Sequence, residues 1–146
     1  YAGQPWMTQR RVRQIMDVWY GDGPLGYCGD EDYGEMASWY VLSAMGFYTV
    51  APGRPVYDIG CPLFEKSTID LGGGKTFTVE APDVSAQNKY IQSATLNGRP
   101  IDRPWFTHEE LQQGGTLFLQ MGPRPNRSWG ANPEKMQFTD HDAPKN

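Results

Sequence analysis

"GYCGDEDYGEMASWYVLSAMGFY", residues 26–48, decides how this chain is read. Three consecutive acids, Asp30, Glu31 and Asp32, stand between two glycines, and a run rich in aromatics and almost free of charge follows. Acids at the mouth of an apolar helix can be a cap, a metal loop or a catalytic pair. A single Asp there is ordinarily a cap, satisfying free N–H groups at the positive end of the helix dipole. Three in a row exceed that need, because adjacent like charges repel and raise one another's pKa. In an extended loop, residues 30 and 32 point the same way with Glu31 opposite, so Asp30 and Asp32 can share a water, a divalent cation or a sugar hydroxyl. A calcium loop of the EF-hand type fails, since its sixth position here is Glu35 and its twelfth is Val41.

Working outward, the helix after the acids spans about Gly34 to Met45, with Gly46 in the left-handed position that ends it. Met36, Trp39, Tyr40, Val41, Leu42, Ala44 and Met45 surround nearly its whole circumference. Such a helix belongs inside a larger helical assembly. The preceding helix, opened by Pro5 and stopped by Gly21, Gly23 and Pro24, carries an apolar stripe of Val12, Ile15, Met16 and Trp19. One helix cannot bury the other. The chain also opens on Tyr1 rather than Met, with no signal peptide, which predicts a piece of something longer.

After Pro52 the period changes from helical to two. "VYDIG", "STIDLG", "KTFTVEAP", "KYIQSATL" and "GTLFLQMG" read as short strands of an antiparallel sheet or sandwich. Asn97-Gly98 and the "GGG" of residues 72–74 are hairpin turns, and Thr107 with Glu110 form a capping box for a short helix stopped by Gly114. Residues 126–146 show no sustained period and read as an extended tail.

Composition narrows the function classes. With 146 residues, 38% hydrophobic and 21% charged, the chain is ordered and globular. Its net charge of −4 gives no basic patch for nucleic acid, and no apolar run reaches the roughly 18 residues of a membrane span. Cys28 and Cys61 are too few for a disulfide framework, and whether they pair stays open. His108 and His141 lack partners at metal or triad spacing and read as structural. Tyr27 and Tyr33, in the loop beside the acids, suit the wall of a cleft, because pyranose C–H faces stack on rings.

"GDEDYGEMASWYVLSAMGFYTVAPG", followed in order by "YDIGCPLFEKSTIDL", "KYIQSATLNGRPI", "FTHEELQQGGTLFLQMG" and "RPNRSWG", resembles the C-terminal part of glycoside hydrolase family 92, over roughly residues 1–130. The resemblance implies a calcium-dependent, inverting α-mannosidase acting on terminal α-linked mannose, of the α-1,2-mannosidase type, in mannose-containing glycans. It implies an α+β fold: the last two helices and catalytic loop of an (α/α)6 barrel over residues 1–50, an antiparallel β segment over 51–125 and an extended tail over 126–146. In the family pattern G-[ND]-[ED]-D-x-G-[QE]-M, Asp32 takes the place of the general base and Asp30 an assisting position, with Glu31, Tyr27, Tyr33 and Glu35 as substrate contacts. Asp30 and Asp32 are too close in sequence to be the opposed acid and base of an inverting enzyme, whose carboxyls lie roughly 6.5–9.5 Å apart. The resemblance therefore puts the general acid, a Glu, in the rest of the parent polypeptide, together with unspecified calcium ligands. It also implies a periplasmic, cell-surface or secreted location. The competing readings are a non-catalytic carbohydrate-binding β-module and an inactive structural fragment.

Overall fold

Pro5 opens the first helix where its missing N–H costs nothing, and α1 runs Pro5–Trp19. In this computed structural model, which describes residues 1–135, the second helix α2 is Glu35–Met45, between Gly34 and Gly46, both with positive φ. Eight strands follow, interrupted by one short helix, α3 (His108–Gln113). Strands β1 (Phe47–Tyr48), β2 (Val56–Ile59) and β7 (Trp105–Thr107) form a three-stranded antiparallel sheet in the order β1-β2-β7. Strands β3 (Lys66–Gly72), β4 (Lys75–Glu80), β5 (Tyr90–Leu96), β6 (Arg99–Ile101) and β8 (Gly115–Gly122) form a second sheet ordered β3-β4-β8-β5-β6.

The five segments read as strands are β2, β3, β4, β5 and β8, and both hairpin turns are present. Asn97 and Gly98 adopt φ of 52° and 76°, the left-handed pair that a two-residue turn between β5 and β6 demands. The capping box of α3 closes as expected: Thr107 Oγ1 accepts from the Glu110 N–H, and the Glu110 carboxylate accepts from the Thr107 N–H. The second sheet is mixed rather than purely antiparallel, because β4 pairs β8 in parallel. That pairing joins segments separated by the whole β5–α3 excursion, so no local turn signal announces it.

Aromatic packing joins the two sheets. Phe106 of β7 stacks on Phe77 of β4 with ring centroids 5.3 Å apart, and Phe47 and Tyr57 complete the cluster at the same separation. Leu117, Leu119 and Met121 alternate inward along β8, as period two requires. Ile91 and Ala94 of β5 both face the core despite odd spacing, because the register shifts between Ile91 and Ser93. Residues 126–135, expected as an extended tail, instead fold back. Trp129 is buried in the core with its indole N–H donating to the Ile101 carbonyl at 3.0 Å, and a 3-10 turn covers Pro133–Lys135. Residues 136–146, including His141, lie outside the described residues.

Only part of the apolar stripe expected on α1 lies on the face it buries: Met16 does, and Val12 is half-buried. Pro5, Gln9, Arg13 and Met16 face inward, whereas Ile15 and Trp19 are exposed. Gln9 Oε1 accepts from the Ile91 N–H at 3.0 Å, beside the bulge in β5, and Arg13 donates to the Pro62 carbonyl at 3.3 Å. Backbone groups that need partners select the polar face. The helix α2 likewise buries only Ser43 and Ala44, and leaves Val41 exposed.

Two stability outcomes follow from this packing. Phe106→Ala removes the ring at the centre of the four-aromatic cluster and lowers unfolding free energy by about 3–5 kcal/mol in chemical denaturation. Asp58 of β2 accepts a 2.6 Å hydrogen bond from the Tyr1 phenol, yet burial, the larger effect, lifts its carboxyl above the usual range. A raised folded-state pKa means that the folded chain holds the proton more tightly than the unfolded one. This contribution is therefore full below the unfolded pKa and is lost as pH rises through the folded one. The melting temperature of the wild type minus that of Asp58→Asn is accordingly larger at pH 4 than at pH 7.

Candidate active site

Residues 20–34 connect α1 to α2 and carry every site residue singled out in the sequence except Glu35, which opens α2. The loop is internally braced. Gly21 N–H donates to the Gly26 carbonyl at 3.0 Å and Gly26 N–H to the Gly23 carbonyl at 2.9 Å. Gly26 cannot take a side chain here, since a Cβ would stand 2.3 Å from the Gly21 carbonyl oxygen.

The three acids divide their work. Glu31 is the helix cap: its Oε1 accepts from the Ala37 N–H at 3.0 Å and its Oε2 from the Gly34 N–H. Both carboxylate oxygens thus engage N–H groups that the first turn of α2 leaves free. Glu31 is thereby held by the helix. Asp30 and Asp32, on either side, are exposed, and among the described residues neither side chain has a hydrogen-bond or ion-pair partner. The backbone at Asp32 is left-handed rather than extended. Asp32, Tyr33 and Gly34 have φ of 53°, 59° and 103°, three successive left-handed residues of which only the glycine is at ease. The simple alternation of side chains across residues 30–32 therefore breaks at Asp32. The turn is what lets Glu31 reach forward to α2. Left-handed non-glycine residues persist only where surroundings over-determine them, and they gather at functional sites.

Tyr20, which no motif or spacing singles out, organises the aromatics. Its ring stacks on Trp39 (centroids 5.4 Å apart), lies 4.9 Å from Tyr40, and meets Tyr27 edge-on at 6.2 Å. Burial first, then the neighbouring Cys28, Tyr27 and Glu31, raise its phenol above the ordinary range, so it remains a neutral donor toward the Met36 carbonyl at 3.4 Å. It forms the wall between two concavities. One, of about 390 Å³, is lined by Asp22, Tyr27, Ala37, Tyr40 and Val41; the other, of about 290 Å³, by Ile15, Cys28, Glu35, Met36, Trp39 and Tyr48. Tyr27 and Glu35 thus border open grooves, while Tyr33 projects fully into solvent. Asp30 and Asp32 line neither groove.

Cys28 is exposed and Cys61 buried, and both are free thiols. His108 bonds the Tyr57 phenol through Nδ1 at 2.9 Å and begins α3. Among the described residues, no three His, Cys, Asp or Glu side chains converge where they could hold a metal ion. No chemical step below passes through calcium.

The sequence profile described as the Glycosyl hydrolase family 92 catalytic domain matches residues 1–123. The chain belongs to glycoside hydrolase family 92. It is 39% identical over 133 residues to an uncharacterized secreted glycosidase of Arthroderma benhamiae, a match covering 89% of this chain and 17% of that protein. Its fold superposes on a family 92 inverting mannosidase of Bacteroides thetaiotaomicron with a TM-score of 0.88 at 50% identity, covering 95% of this chain and 19% of the other. A family 92 α-mannosidase of the same organism, solved in complex with mannoimidazole, superposes with a TM-score of 0.88 at 31% identity, over 94% of this chain and 18% of that one. The family 92 chain thus spans less than a fifth of the length of these relatives.

The cap gives the third testable outcome. Glu31→Ala removes two acceptors from the first turn of α2 and reduces stability by about 1–2 kcal/mol in denaturation. Amide hydrogen exchange at Gly34 and Ala37 rises with it.

Proposed function

We propose that this chain forms the water-activating side of the active site of a longer inverting α-mannosidase. The observation that carries this reading is the division of labour in the acid triplet. Glu31 alone satisfies the helix, and two unpartnered carboxylates flank it, Asp32 on left-handed backbone, within the span that matches the family. A cap explains one acid, and catalysis gives the other two a use.

In this proposal Asp32 is the general base and Asp30 assists it. Asp32 accepts a proton from a water, whose oxygen attacks the anomeric carbon of a terminal α-linked mannose from the face opposite the leaving group. The leaving oxygen is protonated by a carboxylic acid supplied by the part of the polypeptide that precedes residue 1. A single displacement of this kind gives β-mannose as the first product. Tyr27, Tyr33 and Glu35 are the proposed sugar contacts, and the linkage is of the α-1,2 type. Calcium, in this reading, is held by residues outside 1–135. The two helices and loop, residues 1–50, belong to an (α/α)6 barrel, 51–125 to a β segment packed on it, and 126–146 to the C-terminal end.

The exposed apolar surface supports a larger assembly. Val18 and Trp19 on α1 and Val41 on α2 are more than half exposed, a poor arrangement for a finished helical surface. The rest of the parent polypeptide is the proposed cover. The kinship with a secreted glycosidase supports secretion, a periplasmic or cell-surface location is the alternative that the family resemblance implies, and no helix among the described residues is long and apolar enough to cross a membrane.

The test is the Asp32→Asn exchange in the full-length polypeptide that carries this segment, with α-1,2-mannobiose as substrate and the product anomer followed by NMR. The wild type releases β-mannose first. The variant loses about 10²–10⁴-fold in kcat, the usual worth of a general base. Wild-type turnover in the variant sinks the assignment of the base, and α-mannose as first product sinks the inverting mechanism.

A further inference from the structure

The position of the acid loop depends on how α1 and α2 are set relative to each other, and these helices meet chiefly through the Tyr20 ring at their junction. Gln9 ties α1 to β5, and both helices are also held by one short stretch of backbone, Gly60–Leu63. The Arg13 guanidinium of α1 donates from Nη1 to the Pro62 carbonyl at 3.3 Å and lies 3.9 Å from Cys61 Sγ. On the other side, Leu63 N–H donates to the Ala44 carbonyl of α2 at 2.9 Å, and Gly60 N–H to the Gly46 carbonyl at 2.8 Å. The Pro62 ring closes the joint against Gly46, where an added Cβ would come within 3.1 Å of the ring. One tetrapeptide therefore grips the end of α2 and the middle of α1 at once.

Arg13 is the only charged group of the described residues among those buried on this interface, with its side chain 10% exposed. Its Nε donates to Asp17 Oδ1 at 3.1 Å, one helical turn on, which neutralises the charge and fixes the fork. A guanidinium held from both ends transmits a shift of Gly60–Leu63 to α1, rather than absorbing it as a flexible apolar side chain would. Residue 13 lies about 10 Å along the helix axis from Tyr20, where the loop starts.

We propose that Arg13, clamped to Gly60–Leu63, is a positioning residue that sets the placement of the Asp30–Asp32 loop. It touches no substrate and acts through the spacing of α1 and α2. The inference rests on the proposed role of Asp32 as base. A misplacement of a catalytic group by about 1 Å costs on the order of 10²-fold in rate.

The experiment compares Arg13→Met, Arg13→Lys and Asp32→Asn in the full-length polypeptide, with 4-nitrophenyl α-mannoside, recording kcat and KM per folded molecule with and without azide. Azide attacks without needing a base: its N–C bond forms as the glycosidic C–O bond breaks, and nitrophenolate leaves with the electron pair. The expected result is a 10- to 100-fold loss of kcat in Arg13→Met with KM within about twofold of the wild type. Azide restores part of that loss, as in Asp32→Asn, and Arg13→Lys, which keeps the charge and one donor but not the fork, loses less than Arg13→Met. A merely structural Arg13 gives a different pattern: lost activity tracks the unfolded fraction and azide restores nothing, which overturns the proposal. Wild-type kcat in Arg13→Met, alongside an azide-rescued Asp32→Asn, overturns the clamp and leaves the base standing. Wild-type kcat in Asp32→Asn overturns the base and the clamp's role with it.

Discussion

The backbone of Gly60–Leu63 must satisfy two helices at once. Its N–H groups go to the carbonyls that α2 leaves free at its C-terminus, and its Pro62 carbonyl goes to Arg13 of α1. Helix ends carry unpaired carbonyls wherever they occur, and burying them without donors is costly. Here the donors come from the strand-to-strand connection after β2, so the helical part and the β segment are one structure rather than two modules in series. Gly46 suits this joint through its φ of 104°, and an added Cβ would press on the Pro62 ring at 3.1 Å.

The same joint explains the chemistry of Cys61 and the choice of face on α1. The thiol is fully buried, and burial pushes its pKa up, with Arg13 opposing. It stays protonated and acts as a small apolar residue in the core, with no partner in exposed Cys28. Gln9, Arg13 and Met16 share one stripe of α1, and two of these three are polar because the surface they meet is backbone. The faces that hydropathy favours, around Ile15, Val18, Trp19 and Val41, look away from the β segment.

The loop between the helices is built by an economy of partners. Glu31 supplies both acceptors to the start of α2, and Tyr20 ties the end of α1 to Trp39 and Tyr40. Once these are in place, Asp30 and Asp32 have no structural duty. In the proposed function these are the two acids whose lone pairs are left for the substrate water. The left-handed backbone at Asp32 and Tyr33 is the counterpart of the cap, since the chain must turn back on itself for Glu31 to face forward.

Local chemistry was legible in the sequence wherever one short segment carries the whole cause. The glycines that bound α2, the capping box of α3, the Asn97-Gly98 turn and the period-two strands all depend on neighbours within a few residues. So did the family signature and the suspicion that three acids exceed what a helix needs. Which acid would cap and which would stay free was not legible, because that depends on the sign of φ at residues 32–34 and on reaching Ala37. The parallel pairing of β4 with β8, the packing of Trp129 and the buried face of α1 were closed to it for a related reason. Each is settled by a partner far along the chain, and hydrophobic periodicity carries no information about a distant backbone group that lacks a hydrogen-bond partner.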